Sequence, residues 1–346
     1  MDPRIPPSSG GDVPLLNRVP ARVKARRGFV WSTVVLAAAV LMAWIPAMTS
    51  KAAEPTLAQR LGYPADARLL IINGDDAGMC HTANVATIEG LERGLLTSAT
   101  IMVPCPWFPE IAAYAKAHPE KDFGLHLCQS SEWQTYRWGP VAPRSEVPGL
   151  IDPDGYFWHE TPQVYAKATP QEAYIEARAQ IRKALAAGID VTHIDSHMGV
   201  LQYLPAYLEK YLDLAVEFDL PARMASQQTF EEYNQKGWRE RFAAKGILFT
   251  DDFLFNSKYE QGAASVKPFW MQRLSALKPG VTEIFIHAGQ PTEELKAVTG
   301  SWAVRSAELE LFSRDADMRA LLDQQKVIRI GYRQIRDLQR KLRTKP

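Results

Sequence analysis

The strongest constraint on this chain is a repeated alternation: short, uniformly apolar runs that stop at polar or glycine-bearing residues, each followed by a stretch of helical period. Leu69-Leu70-Ile71-Ile72 reads as a buried strand running into Asn73-Gly74-Asp75-Asp76, with a helix over 83–93. Ser98 to Val103 is a second strand, closed by Pro104 and Pro106 and followed by a helix over 109–117. Phe123-Gly124-Leu125-His126-Leu127 is a third. A helix over 171–187, stopped by Gly188, leads into Val191-Thr192-His193-Ile194-Asp195, then a helix over 205–218, and Thr282 to His287 forms a late strand. Serial β-α units of this number predict an α/β protein, either a barrel or a doubly wound sheet, with polar groups gathered at the strand C-termini. Residues 128–170 show no period and read as a long excursion, which in a compact domain is more often functional than idle.

The first fifty residues do not share this pattern. Arg18, Arg22, Lys24, Arg26 and Arg27 precede a charge-free run from Gly28 to Ser50, and small residues follow near Ser50-Lys51-Ala52. A basic flank, an apolar run and a small-residue exit are the plan of an export signal. Arg26-Arg27-Gly28-Phe29-Val30 is similar to the twin-arginine export pattern. The run also has the roughly 20 residues that span a bilayer, so residues 29–48 are an alternative membrane anchor. The expected organisation is a basic export region over 1–53 and one catalytic domain over 54–346, periplasmic or extracellular. Contact with membrane is expected only through an uncleaved N-terminal segment, and a homodimer is compatible with the chain.

The chemistry lies at the strand ends. In a parallel architecture Asp75-Asp76, His126, His197 and His287 converge on one face despite their separation in the chain. One carboxylate with two imidazoles is a common way to hold a divalent metal with positions open for water and substrate. A second carboxylate can take a proton from that water, and a further His can protonate a leaving group. Taken singly, Asp75-Asp76 also fits a solvated turn and His126 a packed core histidine. His193-Ile194-Asp195-Ser196-His197 is harder to explain by packing alone, and the joint occurrence favours metal-assisted hydrolysis.

The motifs Leu-Ile-Ile-Asn-Gly-Asp-Asp-Ala-Gly (70–78), Glu-Arg-Gly-Leu-Leu-Thr-Ser-Ala-Thr-Ile-Met-Val (92–103), Phe-Gly-Leu-His-Leu (123–127), Thr-His-Ile-Asp-Ser-His (192–197) and Gly-Val-Thr-Glu-Ile-Phe-Ile-His-Ala-Gly (280–289) occur in this order. Together with Arg305 and Glu308-Leu309, they make the chain resemble the YdjC-like carbohydrate deacetylases, whose members include chitooligosaccharide deacetylases, from about residue 68 to 336. The resemblance implies a modified (β/α) barrel that removes an acetyl group from an N-acetylated sugar with one divalent metal, Mg2+ or Zn2+, with Mn2+ or Co2+ as further candidates. Carried over by position, it implies Asp76, His126 and His197 as metal ligands and Asp75 as the base. His287 is then the group that protonates the departing amine or stabilises the tetrahedral intermediate. His193 and Asp195 are candidates for supporting roles, His193 either orienting Asp75 or His197 or simply packing. Ala77 stands where the family usually has an aromatic, Gly199 where many members have His, and Ala288 where Pro is usual, which together mark a divergent branch.

The excursion holds Trp133, Trp138 and Trp158, with Tyr136, Arg137, Tyr156 and Phe157, and these rings either form a sugar-stacking wall or anchor the loop. Arg305 is a further substrate-binding candidate. Cys80, Cys105 and Cys128 have no partner spacing and read as small packing residues. Two rivals remain: a catalytically silent sugar-binding module, and a metal-dependent phosphoesterase, which would need more metal ligands or a phosphate-cradling loop. Residues 1–52 hold seven basic and two acidic residues, so the 294 that follow hold 33 and 37 and carry −4. A mildly acidic domain has no electrostatic case for nucleic acid.

Overall fold

The computed structural model describes residues 54–256 and 259–344. The expected export segment or anchor lies outside them; among the described residues no helix is long and apolar enough to cross a membrane. Seven parallel strands form one curled sheet: β1 (Arg68–Ala77), β2 (Ser98–Ile101), β3 (Phe123–Leu127), β4 (Val191–Ser196), β5 (Asp252–Leu254), β6 (Gly280–Ile286) and β7 (Ile328–Arg329). Their order is β4-β3-β2-β1-β6-β5. The short β7 shares an edge of β1 with β2: β7 pairs with Leu69 and Leu70, and β2 with the stretch from Asn73 to Ala77. Beyond β4 the ladder gives way to single rungs. Ala222 bridges to Ile194 and its N–H donates to Leu248 O at 3.3 Å, while Asp251 N–H donates to Val281 O at 2.8 Å. The α/β expectation is met by a curled parallel sheet that is only loosely stitched in the sector between β4 and β5.

The uniform burial of β1 follows from its two covered faces, the usual situation of parallel strands. Leu70 and Ile72 pack with Trp270, Leu309 and Phe312 of the surrounding helices. Leu69 and Ile71 pack with Tyr332 and Ile335 of the last helix, Tyr332–Arg343. The helix Pro170–Ala186 starts where Thr169 and Glu172 form a capping box, and Gly188, at φ +87°, follows its end as expected. The excursion after β3 is anchored rather than free. Phe157 N–H donates to Trp138 O, Arg137 pairs with Asp152 at 2.8 Å, and Trp138, Leu150, Phe157 and Val164 are buried.

Candidate metal centre

Strict alternation along β1 would send Asp75 and Asp76 to opposite faces. Asp75 follows Leu69, Ile71 and Asn73 into the interior. Asp76 reaches the same mouth because the β1–β2 register breaks between Gly74 and Ala77, and Asp76 itself adopts φ +67°, a conformation Asp tolerates better than most residues. The strand therefore continues through both carboxylates instead of stopping before them. His126 lies within β3, His197 immediately follows β4 and His287 immediately follows β6, so all five positions meet at one rim.

Asp76, His126 and His197 are buried, and each offers a ligand atom within 4.8 Å of the other two. Asp76 Oδ1 lies 3.4 Å from His126 Nε2 and 3.6 Å from His197 Nδ1, and it has no hydrogen-bond partner. An unsatisfied buried carboxylate oxygen is costly unless a cation completes it. The far nitrogens of both rings are held. Asp195 Oδ1 accepts from His126 Nδ1 at 2.5 Å, and Glu132 Oε2 lies 2.9 Å from His197 Nε2. Carboxylates behind the ligating imidazoles fix the ring orientation and turn the opposite nitrogen toward the shared centre. The donor set, one carboxylate and two imidazoles, fits a divalent ion.

Electrostatics supports the same arrangement. Burial lowers the pKa of His197, but Glu132 and Asp76 pull it up to about 10. His126 is likewise raised despite burial, chiefly by Asp195 and Asp75. Burial pushes Asp76 up, yet Arg305 and His287 hold it well below the usual carboxylate range, and Arg305 Nη2 donates to its Oδ2 at 2.7 Å. His287, partly exposed, has Nε2 3.9 Å from the same oxygen, and desolvation lowers it to about 4. Glu308 Oε2 accepts the His287 backbone N–H at 2.8 Å, and burial raises Glu308 to about 8.

Asp75 is gripped by a residue the sequence did not mark. Arg223 Nη1 and Nη2 donate to its two oxygens at 2.7 and 2.8 Å, and Asn73 Nδ2 donates to Oδ1 at 2.7 Å. The buried guanidinium also pairs with Asp195 and Glu283, each at 2.7 Å. Burial would raise Asp75, but Arg223 and then His126 hold it far below the usual range, so it stays ionised. Arg223 sits in the irregular segment after residue 220, where no period flags it, and Glu132 lies in the aperiodic excursion.

The remaining candidates divide. Asp195 supports His126 directly. His193 does not reach Asp75 or His197 through any hydrogen bond: its ring stacks on Tyr332 at 3.8 Å, deep in the interior, with Thr192 Oγ1 2.9 Å from Nδ1. A Cβ at Gly124 would lie 2.4 Å from that ring, so glycine is needed there for the stack. Trp133 lines the cavity and lies beneath Arg305, 5.7 Å from its guanidinium. Trp138 is buried edge-on to His197 at 5.9 Å and does not line the cavity. Trp158 also lies outside the lining, because its indole N–H is satisfied by Gly149 O at 2.8 Å within the excursion. One of the three tryptophans thus lines the cavity, and the other two hold the loop. The three cysteines are buried and free.

These groups open into a cavity of about 690 Å³, within the usual range for small-molecule sites. Residues 69–325 match the model of the YdjC-like protein family. The chain belongs to that family. A "Carbohydrate deacetylase" of Thermoanaerobacter pseudethanolicus is 25% identical over 265 residues, covering 77% of this chain and 98% of the relative. One from Thermus thermophilus is 29% identical over 273 residues, covering 77% and 94%. A solved structure from Enterococcus faecalis V583, of a protein named for cellobiose-phosphate cleavage, aligns with TM-score 0.67 and 26% identity over 78% of this chain and 99% of its own. The YdjC-like match spans all the rim residues from Asp75 to Glu308.

Proposed function

We propose that this YdjC-like protein is a metal-dependent hydrolase of a C–N amide bond that removes the acetyl group from an N-acetylated sugar, on a modified (β/α) barrel. The observation that carries the reading is the unpartnered Asp76 Oδ1, faced by His126 Nε2 and His197 Nδ1. The relatives' carbohydrate deacetylase names supply the reaction class. When bound by Asp76, His126 and His197, a divalent ion supplies Lewis acidity that polarises the acetyl carbonyl and acidifies water.

Asp75, kept ionised by Arg223, accepts the proton of the attacking water as its oxygen adds to the carbonyl carbon. Arg223 grips both oxygens of that carboxylate and so fixes its orientation. As the C–N bond breaks, the nitrogen takes up a proton and leaves as the amine, with acetate as the other product. His287 is neutral at rest. It faces the reacting region as a proton carrier, taking a proton from the hydrolytic centre and passing it to the amine. Its backbone is anchored by Glu308. Arg223 and Arg305, the guanidiniums on the cavity wall, are already paired with carboxylates, so the site favours a neutral sugar over a phosphate ester.

The test is acetate release from N-acetylated sugars with and without chelator. Release that depends on metal and is lost in Asp75→Asn supports the reading. Chelator-resistant release, or none from the metal-loaded protein, overturns it. We also propose that the domain works outside the cytoplasm, on the strength of the basic-apolar-small pattern of residues 18–52. An intact Met1 in the soluble cytoplasmic fraction would overturn that placement.

A further inference from the structure

The inner face of β6 carries three groups in register. Side chains along a strand alternate, so Glu283, Phe285 and, just past the strand, His287 turn to one side, while Ile284 and Ile286 pack with the helices on the other. His287 is the proposed proton carrier. The Phe285 ring stands edge-on to it at 5.3 Å and also faces the Arg223 guanidinium at 5.0 Å. Glu283 is fully buried. Its Oε1 accepts from Arg223 Nε at 2.7 Å and its Oε2 from the Tyr332 hydroxyl. The proton transfers at Asp75 and His287 do not themselves use this carboxylate.

Arg223 needs an external holder. It belongs to the segment stitched to β4 by single rungs, where its own N–H donates to Ile194 O at 3.0 Å, so no ladder aims its long side chain. A guanidinium is a rigid planar fork, and holding it at Nε sets where its other nitrogens lie. Nη1 and Nη2 are the two that grip Asp75, at 2.7 and 2.8 Å. Phe253 and Phe285, 5.5 and 5.0 Å from the guanidinium carbon, restrict its tilt. Tyr332 is itself fixed by its stack on His193 at 3.8 Å. Asp75 and Asp195 already supply two counter-charges to Arg223, so Glu283 is not required to neutralise it.

We propose that Glu283 is a positioning residue for the proton acceptor: with Tyr332 fixing its second oxygen, it holds Arg223 at Nε so that Nη1 and Nη2 meet both oxygens of Asp75. The inference rests on the hydrolase reading and names what aims its base. One strand face then sets both ends of the proton transfer, Asp75 through Glu283 and the departing amine through His287.

Two substitutions in the metal-loaded full chain separate reach from charge. Glu283→Asp keeps the charge and draws the carboxylate back by one methylene, whereas Glu283→Gln keeps the reach without the charge. Burial already raises Glu283 to about 7, so the neutral amide is a close mimic near that pH. For acetate release from N-acetylated sugars, kcat of Glu283→Asp should fall by about tenfold or more, as for a displaced catalytic group. KM and the amount of bound metal should stay unchanged, and the solvent deuterium isotope effect on kcat should rise. Glu283→Gln should remain within about threefold of wild type, since it still accepts from Nε. Wild-type kcat in Glu283→Asp overturns the proposal, as does a loss in Glu283→Gln equal to that in Glu283→Asp, or a drop in bound metal. Should Glu283→Asp lose its circular dichroism spectrum, Tyr332→Phe decides. It leaves reach and charge intact but frees Oε2, so kcat should fall by about threefold or more at constant KM, and wild-type kcat overturns the proposal. No acetate from the wild-type protein overturns the hydrolase reading and this inference with it. Release by the wild type that Glu283→Asp leaves untouched overturns the inference alone.

Discussion

The two walls of the cavity are held together by opposite means. On the ligand side, charged groups removed from water are fixed by one another: Asp195 and Glu132 behind the imidazoles, Arg223 on Asp75, Arg305 on Asp76. On the far side, apolar side chains such as Met198, Leu208, Phe230 and Phe255 line the cavity, and Met198 and Phe255 are exposed at the rim. Breaking a buried charge network strands its partners, whereas trimming an apolar rim loses only surface. The comparison teaches that the proposed ligands and base sit in or directly after regularly laddered strands, where register can aim side chains, while Arg223, Glu132 and Arg305 reach them from outside the strands. The loosely stitched sector is left to vary in what it admits.

That contrast gives a ranked set of tests. The largest effect is expected from Asp76→Ala, which removes the central donor. Metal analysis after dialysis should find no stoichiometric ion, and turnover should vanish, while Phe255→Ser should retain its metal. Asp75→Asn should keep the metal and lose turnover by roughly 10²–10⁴, the range of a positioned proton acceptor; full activity would remove Asp75 from the base role. Asp195→Asn and Glu132→Gln should each weaken metal affinity by about 10–100-fold, because they release an imidazole that remains in place. Metal titrations check this, and wild-type affinity in both would show that the carboxylates behind the rings do not orient them.

A smaller, graded effect follows from proton competition. His197 is held at about 10, so at neutral pH an incoming ion must displace its proton. Apparent metal affinity should therefore rise with pH, by about tenfold per unit between pH 6 and 8 for each proton released. A flat profile would mean that His197 binds no ion. The smallest effect concerns Glu308. Its carboxyl is raised from 4.5 to about 8, so the folded protein holds a proton that the unfolded chain releases. The sign follows: this group's contribution to stability is complete below pH 4.5 and is lost as pH rises to 8. Glu308→Gln should flatten the fall in Tm of the metal-free protein across that interval, by a few degrees.

Much of this architecture is legible in the sequence because apolar runs that end at polar residues report both a strand and the place where it ends. Asp75-Asp76, His126, His197 and His287 could be assigned to one rim on that ground alone. Asp76 is the instructive exception: it shares the mouth with Asp75 only through a register break and a left-handed backbone, neither of which alternation foretells. Arg223 and Glu132 were invisible for a related reason. They sit in segments without period, and their roles come from partners distant in the chain, such as Asp75 and His197. Trp138 and Trp158 are residues for which the sequence left two roles open. Composition allows a sugar wall or a loop anchor, and burial against His197 for one and an indole N–H donated to Gly149 O for the other place both rings with the loop.

The short β7 bears on how the protein is made. It completes the lower edge of β1 with residues 328 and 329, and the helix after it anchors through Arg333 N–H to Asp122 and Arg336 to Asp190. During synthesis the first strand therefore keeps part of its edge unpaired until residues 328 and 329, far along the chain, have emerged. Contacts this distant in the chain form slowly, and an open edge in the meantime invites pairing with a neighbouring nascent chain. The segment from Ile328 to Arg336 thus acts as a completion step, and the chain depends on being kept apart from its copies until it arrives.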